Sequence, residues 1–150
     1  MKTTIKTEKV LKVYQILNTT KYGKLDDADK VKVWKIARKL KPVATKFDED
    51  SKDAAEKLKP YEGFEDDLQK AQEYERLKGV NAKMDIDEYQ KFIAAFKAYQ
   101  ELVGKAVKEY ADVEVEVEFD TISEDAFSKL MASNEWTLDQ AVEIGEFITE

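Results

Sequence analysis

Residues 113–119 read Val113-Glu114-Val115-Glu116-Val117-Glu118-Phe119, a strict alternation in a chain that otherwise carries helical spacing. Successive side chains of a strand point to opposite faces. The valines and Phe119 therefore share one side, and Glu114, Glu116 and Glu118 share the other. Burying a valine contributes roughly 1.5–3 kcal/mol, which turns the apolar side toward the rest of the protein and the glutamates toward water. A strand alone leaves its backbone N–H and C=O groups unmet, so it requires a partner.

The start of the chain, "MKTTIKT", is the other stretch with strand parity. Met1, Thr3 and Ile5 form one face; Lys2, Thr4 and Lys6 form the other. Pairing the two stretches sets lysines beside glutamates and Ile5 beside valines. Opposite charges across a strand pair contribute roughly 0.2–1 kcal/mol each. A two-stranded element is expected over about residues 2–6 and 113–119, with its direction open. The alternative is a frayed start, with the strand paired in a second molecule.

Outward from the strand the pattern is helical. Thr7 is expected to cap a first helix with the stripe Val10, Leu11, Tyr14 and Leu17, ending near Gly23. Asp26 and Asp27 open a second, since acids suit the positive end of a helix. Its buried side is Val33, Ile36, Ala37, Leu40, Val43, Ala44 and Phe47. Pro42 falls inside this run, and an interior proline removes one hydrogen bond. The register nevertheless passes through it to Ala54 and Leu58. A long kinked helix stopped by Pro60 and Gly63 is favoured over two helices broken at Lys41 and Pro42.

Phe64, Leu68, Ala71 and Leu77 predict a third helix ending near Gly79. Asp85 or Asp87 caps a fourth, in which Tyr89, Phe92, Phe96, Tyr99, Val103, Ala106 and Tyr110 alternate spacings of three and four. That is a heptad sustained over roughly 37 Å of helix, widened by Ile93 and Val107. Its aromatic seam suits packing within the chain, on the other long helix, better than a zipper between chains. Beyond the strand, Ser123 or Thr121 caps a helix with Phe127, Leu130 and Met131 inward, ended by Asn134. Thr137 and Gln140 form a capping box for the last helix, whose inner face is Val142, Ile144, Phe147 and Ile148, with Trp136 at the corner.

The expected fold is therefore mainly α: a long antiparallel helical hairpin or bundle, a small two-stranded β element and a short C-terminal helical pair. A length of 150 residues suggests one domain. Its helical body spans about 7–111 and its acidic lobe about 112–150, joined by the N-terminal strand.

Composition bounds the chemistry. Cysteine and histidine are both absent, which removes two versatile metal ligands, the thiolate nucleophile and the usual general base near neutral pH. The serines, Ser51, Ser123, Ser128 and Ser133, have no histidine to activate them. No glycine-rich phosphate loop or nucleophile elbow occurs. Residues 48–53 match a calcium loop only in acidity, lacking its central glycine and distal glutamate. Asp85 and Asp87 read as helix caps. No enzyme activity, metal or cofactor is expected. No apolar run has the length of a membrane span, and the start lacks a signal-peptide core, so a cytoplasmic protein without a membrane partner is expected.

The net charge of −7 is unevenly spread. Residues 1–46 hold 13 cations against 4 acids, while residues 112–150 hold Lys129 against 12 acids. Either the two parts neutralise each other, or one of them faces a charged partner. Lys35, Arg38 and Lys39, with Lys46 on the same helix side and Trp34 nearby, are one candidate surface; Glu114, Glu116 and Glu118 are the other. The acidic excess makes nucleic acid the disfavoured partner for the basic helix, and a protein partner the favoured one. A monomer is favoured over a homo-oligomer.

The order of segments carries a resemblance. "TEKVLKVYQILNTTKYGKLDDADKVKVWKIARKLKP" is followed by a charged helical middle, by "VEVEVEF" and by "TISEDAFSKL" and "WTLDQAVEIGEFI". In this it resembles a family of small proteins encoded by tailed phages and prophages of gut and lactic bacteria. Pro42 and the aromatic helix over 89–110 stand outside the shared pattern. The resemblance implies a phage origin, residence in the cytoplasm of a bacterial host or in the virion, and an assembly or structural accessory role. It brings no catalytic residues. The alternative function is an acidic mimic of DNA that blocks a host nucleic-acid-binding protein.

Overall fold

The two alternating stretches do pair. In the computed structural model, which describes residues 2–150, β1 (Lys2–Lys6) and β2 (Glu114–Glu118) form a two-stranded antiparallel sheet. Lys2 lies opposite Glu118, Ile5 opposite Val115 and Lys6 opposite Glu114. Met1, expected on the apolar face, lies outside the described residues. Six helices complete the chain: α1 (Thr7–Asn18), α2 (Asp27–Lys57), α3 (Phe64–Leu77), α4 (Ile86–Asp112), α5 (Glu124–Ser133) and α6 (Leu138–Ile148). The protein is mainly α, and it divides into two compact units.

The first unit comprises the chain up to Glu49 together with Tyr110–Glu150. Its core gathers Val10, Val13 and Leu17 of α1, Val33, Ile36 and Leu40 of α2, Val117, Phe119 and Ile122, and Leu130, Ile144, Phe147 and Ile148. Each buried aliphatic contributes roughly 1.5–3 kcal/mol, so this cluster dominates the unit. Lys9 and Glu143 add an ion pair of 2.7 Å between α1 and α6. The end of the chain is held too: Ile122 N–H donates to the Ile148 carbonyl at 2.8 Å. Gly145 lets α6 approach α5 closely. A Cβ at that position would lie 3.0 Å from the ring of Phe127.

Several expectations need correction here. Thr7 is not the cap of α1; Lys6 holds that position without a side-chain cap. The Thr7 backbone N–H and hydroxyl both donate to the Val113 carbonyl, at 2.9 and 2.8 Å, prolonging the sheet by one residue. Helix α1 ends at Asn18, short of Gly23. Val113 does not join the buried face and is 53% exposed. Its N–H bonds to the Tyr110 carbonyl, so it belongs to the turn leaving α4 and not to the pleat. Met131 and Val142 are exposed as well. Helix α5 turns Ala126 and Leu130 inward instead. Val142 lies two residues, or about 200° of helical rotation, from the buried Ile144.

Helix α2 runs without a break through Pro42. The proline is exposed, on the side away from Ile36, Leu40 and Ala44. Its missing N–H leaves the Arg38 carbonyl without its helical partner. On an outward face that carbonyl meets water, which makes the defect tolerable.

The second unit is Asp50–Glu109. Here α3 and α4 form an antiparallel hairpin, reversed through Lys78 and Gly79, both with positive φ. Phe64 of α3 is the hub: its ring lies 5.3 Å from Phe92, 6.2 Å from Phe96 and 4.9 Å from Tyr99. Nearer the reversal, Tyr74 stacks on Tyr89 at 4.2 Å. The aromatic seam of α4 thus finds α3 as a partner, and it reaches α2 where the Tyr99 hydroxyl donates to the Ala55 carbonyl at 2.6 Å. The cap of α4 is Asp85, whose Oδ1 accepts from the Glu88 N–H at 2.8 Å. That backbone hydrogen bond holds the Asp85 carboxyl below the usual range.

Between α2 and α3, Lys59 bridges Glu56 and Glu65, and the Tyr61 hydroxyl donates to Asp67 at 2.7 Å. Hydrogen bonds to Glu56 and then Glu65 push the Lys59 ammonium up to about 12. Loss of water, then the bond to Asp67, pushes the Tyr61 phenol up to about 12. Both groups hold their proton more tightly in the folded chain than in the unfolded one. Their stabilisation is complete below about pH 10 and is lost as pH rises toward 12. Tyr89, bonded to Glu75, is also held above the usual phenol range, so the expected result is a tyrosinate absorbance titration whose late part shrinks, without vanishing, in Tyr61→Phe. Loss in Tyr61→Phe of amplitude at about pH 10 instead of from the late part would show that Asp67 does not hold the Tyr61 proton.

Candidate interaction surface

From Lys30 to Phe47 the chain holds seven cations and no acid. In α2 the buried positions Val33, Ile36, Leu40 and Ala44 take one side, and helical spacing sends Val31, Trp34, Lys35, Arg38, Lys41 and Pro42 to the opposite one. Lys35, Arg38 and Lys39 are exposed. Val31 and Trp34 are exposed too, at 48% and 51%. The Arg38 guanidinium lies 5.2 Å from the centre of the Trp34 ring. An exposed pair of this kind contributes about 0.5–1 kcal/mol and holds both side chains in place.

Lys30 approaches Asp27 at 4.0 Å, at the N-terminal edge of the run. Among the described residues no ion pair involves Lys35, Arg38, Lys39 or Lys41. Of the two readings of the charge asymmetry, neutralisation by the acidic C-terminal part therefore fails for this strip. Next to it, Arg38, Lys41, Pro42, Thr45, Lys46 and Glu49 line a shallow hollow of about 480 Å³. Its lining is more apolar than polar in surface.

The acidic candidates lie on the sheet. Glu114, Glu116 and Glu118 are all exposed. Lys2 stands opposite Glu118 in register but forms its ion pair diagonally, with Glu116, at 2.6 Å. Lys6 stands opposite Glu114. The glutamate row is thus partly compensated by its own sheet partner, whereas Lys35, Arg38, Lys39 and Lys41 have no such ion pair among the described residues. No ion pair joins Lys35, Arg38 or Lys39 to Glu114, Glu116 or Glu118 among the described residues.

A further hollow, of about 670 Å³, lies between the end of α1 and the corner before α6, lined by Gln15, Ile16, Thr19, Asn134, Trp136 and neighbours. Sequence reasoning placed Asn134 only as a helix end. It is a clamp: its amide accepts from the Lys21 N–H at 2.8 Å and donates to the carbonyls of Lys21 and Leu130. Asparagine at a helix end is the available signal, but its distant partner has none.

Among the described residues, no helix is long and apolar enough to cross a membrane, and no group of three or more Asp or Glu is placed to hold a metal ion. Comparison with protein-family models, with curated proteins and with solved structures finds no match to this chain.

Proposed function

We propose that this chain is a non-enzymatic interaction protein that holds a protein partner on the outward face of α2. Its role is that of an assembly or structural accessory of the phage or prophage kind its sequence resembles, acting in the host cytoplasm or in the virion. The observation that supports this reading is the exposed Trp34, stacked by Arg38 and flanked by Val31, beside Lys35, Lys39 and Lys41, which with Arg38 form no ion pair among the described residues. Tryptophan and arginine are the residue types that most often dominate the energy of a protein interface. Half of a tryptophan left in water is surface that a partner can desolvate.

A second reading, the acidic mimic of DNA, draws on the exposure of Glu114, Glu116 and Glu118. Duplex DNA carries one charge per about 1.7 Å of its axis. Three carboxylates at roughly 6.6–6.8 Å along a strand, beside Lys2 and Lys6, make a much weaker field.

Capture from lysate of phage-infected cells separates the two. Virion structural proteins should be retained by the wild-type chain at moderate salt and lost with Trp34→Ala, while a Leu138→Ala control retains them. Circular dichroism checks that Trp34→Ala stays folded. Recovery of host restriction or nucleoid proteins, released steeply by salt and lost with Glu114→Gln and Glu118→Gln, would establish the mimic instead.

A further inference from the structure

We infer that the outward face of α2 takes an acidic amphipathic helix, with carboxylates on the cationic strip and an apolar side chain in the hollow over Pro42. The inference rests on the reading of α2 as a protein-binding face and names the chemistry of what it binds. Charge supplies the first argument. Lys35, Arg38, Lys39 and Lys41 are cationic and form no ion pair among the described residues, so a complementary occupant is acidic.

Spacing supplies the second. Lys35, Arg38 and Lys41 recur every three residues, or about 4.5 Å of helix rise. Carboxylates three or four positions apart on a helix recur at about 4.5–6 Å and can follow this row. Those of a strand, at roughly 6.6–6.8 Å, fall out of step.

The third argument is the apolar content. Val31, Trp34 and the mainly apolar lining of the hollow that Pro42 borders offer surface that a phosphate backbone has nothing to fill. Arg38 already stacks on Trp34, leaving less of the ring for a base than a stacking platform offers. A leucine or phenylalanine beside a row of glutamates meets both demands. The partner then repeats the general form of an interface, an apolar anchor ringed by charge.

The probe is a labelled helical peptide with glutamates on one face and leucine and phenylalanine on the other, titrated with the full chain by fluorescence anisotropy. Saturable binding is expected. It should weaken about tenfold or more, a change of about 1.4 kcal/mol, with Trp34→Ala and with Arg38→Glu plus Lys41→Glu. The milder Arg38→Gln plus Lys41→Gln should give a smaller loss in the same direction, with all variants folded by circular dichroism. A matched peptide with lysine in place of glutamate should not bind.

Absence of binding by the glutamate peptide, or equal binding of the lysine peptide, would overturn the inference. So would a labelled single-stranded oligonucleotide that binds more tightly than the peptide and is lost in the same variants. A self-association that the charge reversals dissolve would assign the face to a second copy. If capture of virion proteins depends on Trp34 but survives the charge reversals, the partner-binding reading stands and the acidic helix falls. If an oligonucleotide displaces the captured proteins, both fall.

Discussion

Val117→Asp is expected to destabilise the chain by on the order of 4 kcal/mol, while Val113→Asp should change stability by less than about 0.5 kcal/mol. The two valines belong to one face by sequence parity. In the structure Val117 is 5% exposed and belongs to the core of the first unit, whereas Val113 is in the turn after α4. An aspartate at 117 is either buried without a partner or protonated, and both cost free energy. At 113 it meets water. Glu116→Gln, on the wet side of the same strand, should also be nearly neutral, since an exposed ion pair with Lys2 contributes little. Urea unfolding of the three variants measures this directly. Equal losses at 113 and 117 would mean that parity, and not the turn at Tyr110, decides which valine is buried.

Phe64→Ala should cost about 3–5 kcal/mol, the range for truncating a buried aromatic. Phe64 is 3% exposed and touches Tyr61, Phe92, Phe96 and Tyr99. Its removal takes one member from every one of those ring pairs, with a cavity left among them. The loss should appear first as faster amide exchange over 50–109. Phe96→Ala, at a half-buried position on the rim of the same cluster, should cost clearly less. If the two losses were equal, Phe64 would not be the hub.

What was legible in the sequence follows from the range of each interaction. The Thr137 and Gln140 pair is read correctly, and the caps of α4 and α5 are narrowed to two residues each, of which Asp85 and Ser123 serve, because a cap and the N–H it satisfies are three residues apart. The pairing of β1 with β2 is legible because one strand-like stretch carries lysines where the other carries glutamates. Its direction is not, since lysine meets glutamate in either sense. Val113, Met131 and Val142 are misread for a common reason. Periodicity gives the width of an apolar stripe, but its phase near an end depends on where the turn begins. Thr7 is misread because a residue with a capping side chain can also extend a sheet, and the choice lies with Val113, far along the chain.

The candidate surface shows the same limit. Its cations are visible as composition, and the spacing of four between Trp34 and Arg38 hints at their stacking. That no carboxylate comes to neutralise Lys35, Arg38, Lys39 or Lys41 depends on the placement of distant segments, which no local pattern encodes.

The bond from Thr7 to Val113 spans 106 positions, and this sets an order of events during synthesis. Translation delivers β1 long before its mate exists. The cost of closing so long a loop grows only slowly with its length, so the penalty falls on time more than on final stability. Residues 50–109 draw their aromatic cluster from one continuous segment and can assemble during this wait. Ile5 and the pairing groups of β1 meanwhile face solvent on the nascent chain. Lys2 and Lys6 flank them, and charges of this kind on an open strand discourage it from joining the same strand of a neighbouring nascent chain. The lysines that later meet the glutamates of β2 thus protect the strand before those glutamates have been made.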